Sequence, residues 1–178
     1  MNLRVASALA LLLLVAPLET FAGPKGGSAA KSTKGFTEAE AQKWVKGLET
    51  KPTPSKGPRN QFEILHTGPV NYRVTAGGKA VWADGVRVEK TGAVLLEAKY
   101  ISMDKASPFA GKARDKELQF IRDQVEDEFR RYAAIIGDRK TPATSLEVIV
   151  NSSGAAPYFN GLLKTLHIPG RVVIRSAQ

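Results

Sequence analysis

The sequence predicts an α/β fold in which helices cover a mixed sheet, and three observations lead there. Residues 70–101 carry short apolar runs separated by Gly-containing turns, and residues 118–136 carry apolar side chains at spacings of 3 and 4. Strand and helix patterns then alternate to residue 174, so the order reads α-β-β-β-α-β followed by a C-terminal α-β, in one domain without internal repeats. Of 178 residues 43% are hydrophobic, enough to close a core, and with no cysteine that core must be held by apolar burial. The same absence excludes disulfide scaffolds, thiolate zinc sites, iron–sulfur ligation and a Cys nucleophile.

The first 22 residues read as a secretory leader. Arg4 supplies a positive start, residues 5–15 are an apolar run containing Leu11, Leu12, Leu13 and Leu14, and Thr20-Phe21-Ala22 has small residues where a signal peptidase reads. The run is shorter than the roughly 18 apolar residues a spanning helix needs. No Cys follows to take a lipid, so no stable membrane anchor is expected; an uncleaved N-terminal anchor is the alternative. The mature chain is expected to be exported, periplasmic or secreted, in keeping with a cysteine-free bacterial protein. Residues 23–35, rich in Gly, Ser and Lys, read as a flexible basic linker, and residues 36–178 as the folded domain.

Thr37 and Glu40 form a capping-box pattern ahead of Trp44, Val45 and Leu48, which predicts a helix over 38–48 ended by Pro52 and Pro54. Extended segments follow at 70–75, 80–88 and 93–101, joined by Gly77-Gly78 and by Lys90-Thr91-Gly92, a three-stranded antiparallel meander. Leu118, Ile121, Val125, Phe129, Tyr132 and Ile136 make one continuous helical stripe, with Arg122, Asp123, Glu126, Asp127, Arg130 and Arg131 opposite and Gly137 as a stop. Residues 146–150 then read as a buried strand, 157–166 as a helix with Pro157 in its first turn, and 171–174 as a closing strand.

Chemistry concentrates in the meander. Glu97 and Lys99 are two apart on a strand and leave the same face, and Asp84 on the preceding strand can lie beside them. Leu95, Leu96 and their neighbours make exposure of this strand unfavourable. Charges there are costly unless paired or bound to a cation. A hard divalent ion such as Mg2+ relieves two facing carboxylates, prefers oxygen ligands and is typically held by one or two carboxylates plus a substrate phosphate. It would activate a water for attack at phosphorus, leaving Lys99 to orient or deprotonate that water or to neutralise the developing charge.

Asp84, a spacer of 12 residues, and then Glu97-Ala98-Lys99 on an apolar strand resemble the PD-(D/E)xK restriction-endonuclease-like superfamily, whose shared core is α-β-β-β-α-β. The likeness is closest to the restriction-endonuclease-fold toxin domains of bacterial polymorphic toxin systems. It covers residues 37–150 as topology, and as a motif only residues 84–99; Ala83 stands where the superfamily name has Pro. The resemblance implies a metal-dependent nuclease using Mg2+ or Mn2+, with Asp84 and Glu97 as metal ligands and Lys99 as the catalytic lysine. It also implies nucleic acid as substrate, DNA before RNA, an antibacterial role and a neutralising immunity protein, which would be acidic. Gln124 on the long helix matches a Gln that supports the site in several branches. Some members add a Glu from the first helix, for which Glu40 is the candidate, although its capping role explains it equally well.

A formal charge of +9 suits a polyanionic partner, and Lys112, Arg114, Lys116, Arg122, Arg130, Arg131, Arg139 and Lys140 gather around the long helix. Two alternatives stay open. Asp84, Glu97 and Lys99 can instead be an ion-pair network in a basic periplasmic binding module of the same fold. His66, expected in a loop, and His167, at a helix end, can form an acid–base pair for metal-free RNA cleavage. Asn151-Ser152-Ser153 fits a glycosylation acceptor and reads as a loop.

Overall fold

The computed structural model describes residues 35–102, 109 and 116–177; the expected leader and nearly all of the expected linker lie outside them. Among the described residues the chain runs α1 (Glu38–Lys46), β1 (Glu49–Pro52), α2 (Pro58–Thr67), β2 (Val70–Ala76), β3 (Lys79–Ala83), β4 (Gly85–Glu89), β5 (Gly92–Lys99), α3 (Lys116–Gly137), β6 (Ala143–Val150), α4 (Ala156–Thr165) and β7 (Gly170–Ile174).

These strands form two sheets. β1, β2 and β3 make an antiparallel three-stranded sheet, and β4, β5, β6 and β7 a four-stranded one in which β4 is antiparallel to β5 while β5, β6 and β7 run parallel. Helix α3 packs across β2, β3 and β6, so it bridges the two sheets. The architecture is the expected α/β fold with a mixed sheet flanked by helices.

Local chemistry accounts for most elements. Thr37 caps α1 through the expected box, its hydroxyl accepting the Glu40 N–H at 3.3 Å while the Glu40 carboxylate accepts the Thr37 N–H at 2.8 Å. Of the expected stripe on α3, Val125, Phe129, Tyr132 and Ile136 are buried, with Ile135 beside them, whereas Ile121 is 38% exposed. Phe129 stacks on Phe159 of α4 with ring centroids 5.8 Å apart, and Leu95, Leu146, Val148 and Val150 complete the core beneath. On the other face of the four-stranded sheet, Phe62 of α2 packs on Ala98 and Ile149.

Three expectations need correction. The meander is divided: the stretch expected as one strand over 80–88 breaks at Asp84, so β3 stays with β2 and β4 pairs with β5. β1 and α2 were not anticipated, because Pro52 and Pro54 mask a short edge strand and no capping side chain announces α2. Its start is instead Pro58 in the first turn after Gly57 at a φ of 92°. His66 therefore sits on a helix rather than in a loop.

Candidate active site

The break between β3 and β4 builds one side of the site. Gly85 pairs with Leu96, so Asp84 comes to stand opposite Glu97, and its Oδ2 accepts the Ala98 N–H at 2.8 Å. That backbone N–H fixes the carboxylate against β5. Gly85 is needed here because a Cβ on it would lie 2.7 Å from the Thr67 carbonyl oxygen and 3.2 Å from Leu96 Cδ1. The close approach of the α2 end brings in a further acid: Glu63 is buried, and its Oε1 accepts from Asn71 Nδ2 at 2.6 Å and from Thr53 Oγ1 at 3.1 Å. The same Asn71 amide reaches Asp84 Oδ1 at 3.4 Å.

β5 supplies the other side. Glu97 and Lys99 share a face, as their spacing predicts, and Lys99 Nζ lies 2.5 Å from Glu97 Oε1. Glu97 is 3% exposed and Lys99 12%, so the pair lies below the surface. α3 closes over it: Glu128 Oε2 accepts from Lys99 Nζ at 2.6 Å, and the buried Tyr132 hydroxyl donates to Glu97 Oε2 at 2.5 Å. Gln124, Glu128 and Tyr132 follow at intervals of four, so one helix face aims all three toward β5.

The electrostatics follow from this crowding. Burial first, and then the charges of Glu97 and Glu63, push the Asp84 carboxyl far above the ordinary range. Burial and the Glu128 charge push Glu97 up as well, against the opposing pull of Lys99 and Tyr132. For Lys99 burial alone would favour the neutral amine, but Glu97 and Glu128 override it and hold the ammonium well above its usual value. Tyr132 is raised by burial and by Glu97, Glu128 and Asp84, so it stays a neutral donor.

A cavity of about 630 Å³ opens over Lys99, walled by α2 and α3; Gln124 and Glu128 line it with Arg59, Tyr100 and Arg131. Asp84 and Glu97 lie behind Lys99 rather than on its wall. Thus Asp84, Glu97 and Lys99 are brought together, and Gln124 faces the same space. Glu40 is not: it is exposed and occupied by its cap. The helix Glu beside Asp84 is Glu63, whose signal in the sequence is Pro58 at a helix start followed by the apolar spacing of Phe62 and Leu65. Glu128 was also missed; its signal is the i, i+4, i+8 series with Gln124 and Tyr132.

The histidines do not form a pair. His66 Nε2 lies 3.2 Å from the Ser176 carbonyl oxygen, beyond one end of β7, while His167 precedes the other end of that strand. Of the basic cluster, Lys112 and Arg114 lie outside the described residues. Arg130 and Arg131 pair with Glu126 and Asp127 on their own helix, and Arg122 sits 5.6 Å from the Tyr158 ring centroid.

The donor set is compatible with a hard divalent cation. Two buried carboxylates, Glu63 and Glu97, and the partly buried Asp84 stand with one ammonium, and burial together with the neighbouring acids raises both Asp84 and Glu97, a crowding that a bound cation would relieve. Among the described residues no three His, Cys, Asp or Glu side chains close into a ready-made cage. Two carboxylates completed by water and substrate phosphate is the coordination Mg2+ ordinarily accepts.

No curated protein and no solved structure matches the chain. A family model does, over residues 58–169, beginning at the first residue of α2 and taking in Glu63, Asp84, Glu97, Lys99, Gln124 and Glu128. With that match spanning most of the chain and the α/β fold it requires in place, the protein belongs to the restriction endonuclease fold toxin 2 family.

Proposed function

We propose that this chain is an exported, Mg2+-dependent endonuclease that hydrolyses phosphodiester bonds, of DNA before RNA, and acts as an antibacterial toxin. The observation that carries the proposal is the cluster of Asp84, Glu97 and Lys99, in which Lys99 reaches the wall of a cavity of about 630 Å³ and the two carboxylates stand directly behind it. Family membership supports the nuclease and toxin class.

Mg2+ or Mn2+ held by Asp84 and Glu97 would supply an activated water and offset phosphate charge. The chain's own residues do the rest. Lys99, its ammonium paired with Glu97 and Glu128, donates a hydrogen bond to a non-bridging phosphate oxygen and stabilises charge growing at phosphorus. Glu128 and Tyr132 fix the positions of Lys99 and Glu97, and Gln124 contacts substrate from the cavity wall. Export rests on residues 4–22; no helix among the described residues is long and apolar enough to cross a membrane. The +9 charge suits nucleic acid and an acidic immunity protein alike.

The test is cleavage of plasmid DNA and of RNA with Mg2+ and with chelator. Cleavage that needs Mg2+, and that Asp84→Asn and Lys99→Ala abolish without unfolding the chain, supports the proposal. One observation favours a second reading. All four carboxylate oxygens of Asp84 and Glu97 already have partners in Ala98, Asn71, Lys99 and Tyr132, as in an ion-pair network of a basic binding module. Nucleic acid that is bound but intact under every condition would establish that reading instead.

A further inference from the structure

We infer that the strand is unpaired where it is cut, so that the substrate of this site is single-stranded nucleic acid or a locally opened duplex. The inference rests on the nuclease reading above and adds the substrate's conformation to it. Three observations support it, and they concern depth, volume and wall chemistry.

Lys99 is 12% exposed and Glu97 3%, both beneath the rim. A phosphodiester bond must therefore enter the cavity to meet Lys99 on its wall; it cannot react while lying across the surface. The cavity holds about 630 Å³, space for a short piece of one strand and not for a turn of double helix. It lies inside the roughly 300–1,000 Å³ range of clefts that bury most of a drug-sized ligand.

The walls match one strand. Tyr100 follows Lys99 directly and is half-buried, its ring held against Phe62 with centroids 5.9 Å apart, while Ile121 and Val125 supply apolar surface from α3. A half-exposed ring sharing the cavity with the exposed Arg59 guanidinium is the arrangement that stacks an unpaired base while the backbone passes a positive group. In a duplex, that base face is covered by its neighbours and is not offered. Arg59 on α2 is exposed and makes no ion pair among the described residues. Arg131 on α3 also lines the cavity, its guanidinium paired with Asp127. The lining acids do not repel a strand outright, because Asp127 is engaged by Arg131 and Glu128 by Lys99.

The test uses the full chain with a fluorescent DNA strand, its blunt duplex and the same sequence as RNA, at about 0.15 M salt so that long-range attraction is screened. With Mg2+ the unpaired DNA is expected to be cut at least tenfold faster than the duplex. In chelator, anisotropy is expected to show Tyr100→Ala weakening single-strand binding by about 5- to 150-fold, the range base–aromatic stacking covers, with duplex binding unchanged and Tyr100→Phe restoring affinity. Should Tyr100→Ala fail to fold, the wild-type ratio of strand to duplex cleavage decides alone. Equal cleavage of strand and duplex, abolished by Asp84→Asn, overturns this inference and leaves the nuclease standing. If no nucleic acid is cut, the nuclease reading fails and this inference with it. An unpaired RNA cut as fast as the DNA supports the inference and removes the preference for DNA.

Discussion

Replacing Asn151 with alanine is expected to lower stability by about 2–4 kcal/mol, although the residue follows β6 in a segment that reads as a loop. Its side chain clamps the chain just past β5: Oδ1 accepts the Ile101 N–H at 2.7 Å and Nδ2 donates to the Ile101 carbonyl at 3.0 Å. Ile101 is 4% exposed, so losing the amide leaves one buried donor and one buried acceptor unmatched. Each such group costs about 1–3 kcal/mol. Asn151 is itself only half-buried, and water entering from that side keeps the sum in the lower half of the range. For a domain of this size each kcal/mol moves Tm by about 3–4 °C, so Asn151→Ala should melt about 6–16 °C lower. Circular dichroism melting in chelator, paired with urea titration, reads the effect free of ligand linkage. Asn151→Asp keeps an acceptor for the Ile101 N–H and should lose roughly half as much. The clamp also lies two residues beyond Lys99, so nuclease activity should fall by more than the folded fraction does. A drop in Tm below about 2 °C for the alanine variant would show that water satisfies Ile101 and refute the reasoning.

Three further outcomes are expected. Asp84 is held above its unfolded pKa by burial and neighbouring acids, so the folded state binds the extra proton and stability falls as pH climbs past about 4. Asp84→Asn should accordingly raise Tm at pH 8 without added metal, with the gain shrinking toward pH 4; no gain at pH 8 would show the carboxylate to be already compensated. Glu147 is nearly buried and is shared by Arg87 on β4 and Arg171 on β7, which hold its pKa below the ordinary value even though burial opposes them. Its contribution is present above about pH 4 and lost as pH falls through the lowered value, so Glu147→Gln should cost about 1–2 kcal/mol at pH 7 and less near pH 3, measured by urea denaturation. Gly85→Ala drives a methyl into the Thr67 carbonyl and should cost about 1–3 kcal/mol and displace Asp84; a variant as stable and as active as the parent would show that α2 yields freely.

Residues with local partners were the readable ones. The cap on α1 needs only Thr37 and Glu40, the stripe on α3 repeats within one helix, and Glu97 and Lys99 share a face through the pleat of a single strand. Asp84 was legible as a residue and not as a place. The sequence pattern runs through it unbroken, whereas the chain leaves one sheet there for another because Asp84 turns to the Ala98 N–H and α2 presses on Gly85. Glu40 was read as a possible site acid from its position on the first helix, but the helix that meets Asp84 is the second.

The sequence by itself determined the α/β class, the long helix, the strand carrying Glu97 and Lys99, and the charge that suits a polyanion, because each depends on periodicity or composition within a short window. Tertiary structure alone decided that β3 and β4 part company, that Glu63 joins Asp84, and that Glu128 and Tyr132 hold Lys99 and Glu97 from across the core. The physical reason is distance along the chain: Lys99 meets Glu128 29 residues on, and Glu97 is met by Tyr132 35 residues on. A buried charge takes its properties from whichever partners packing delivers, and no local spacing encodes them.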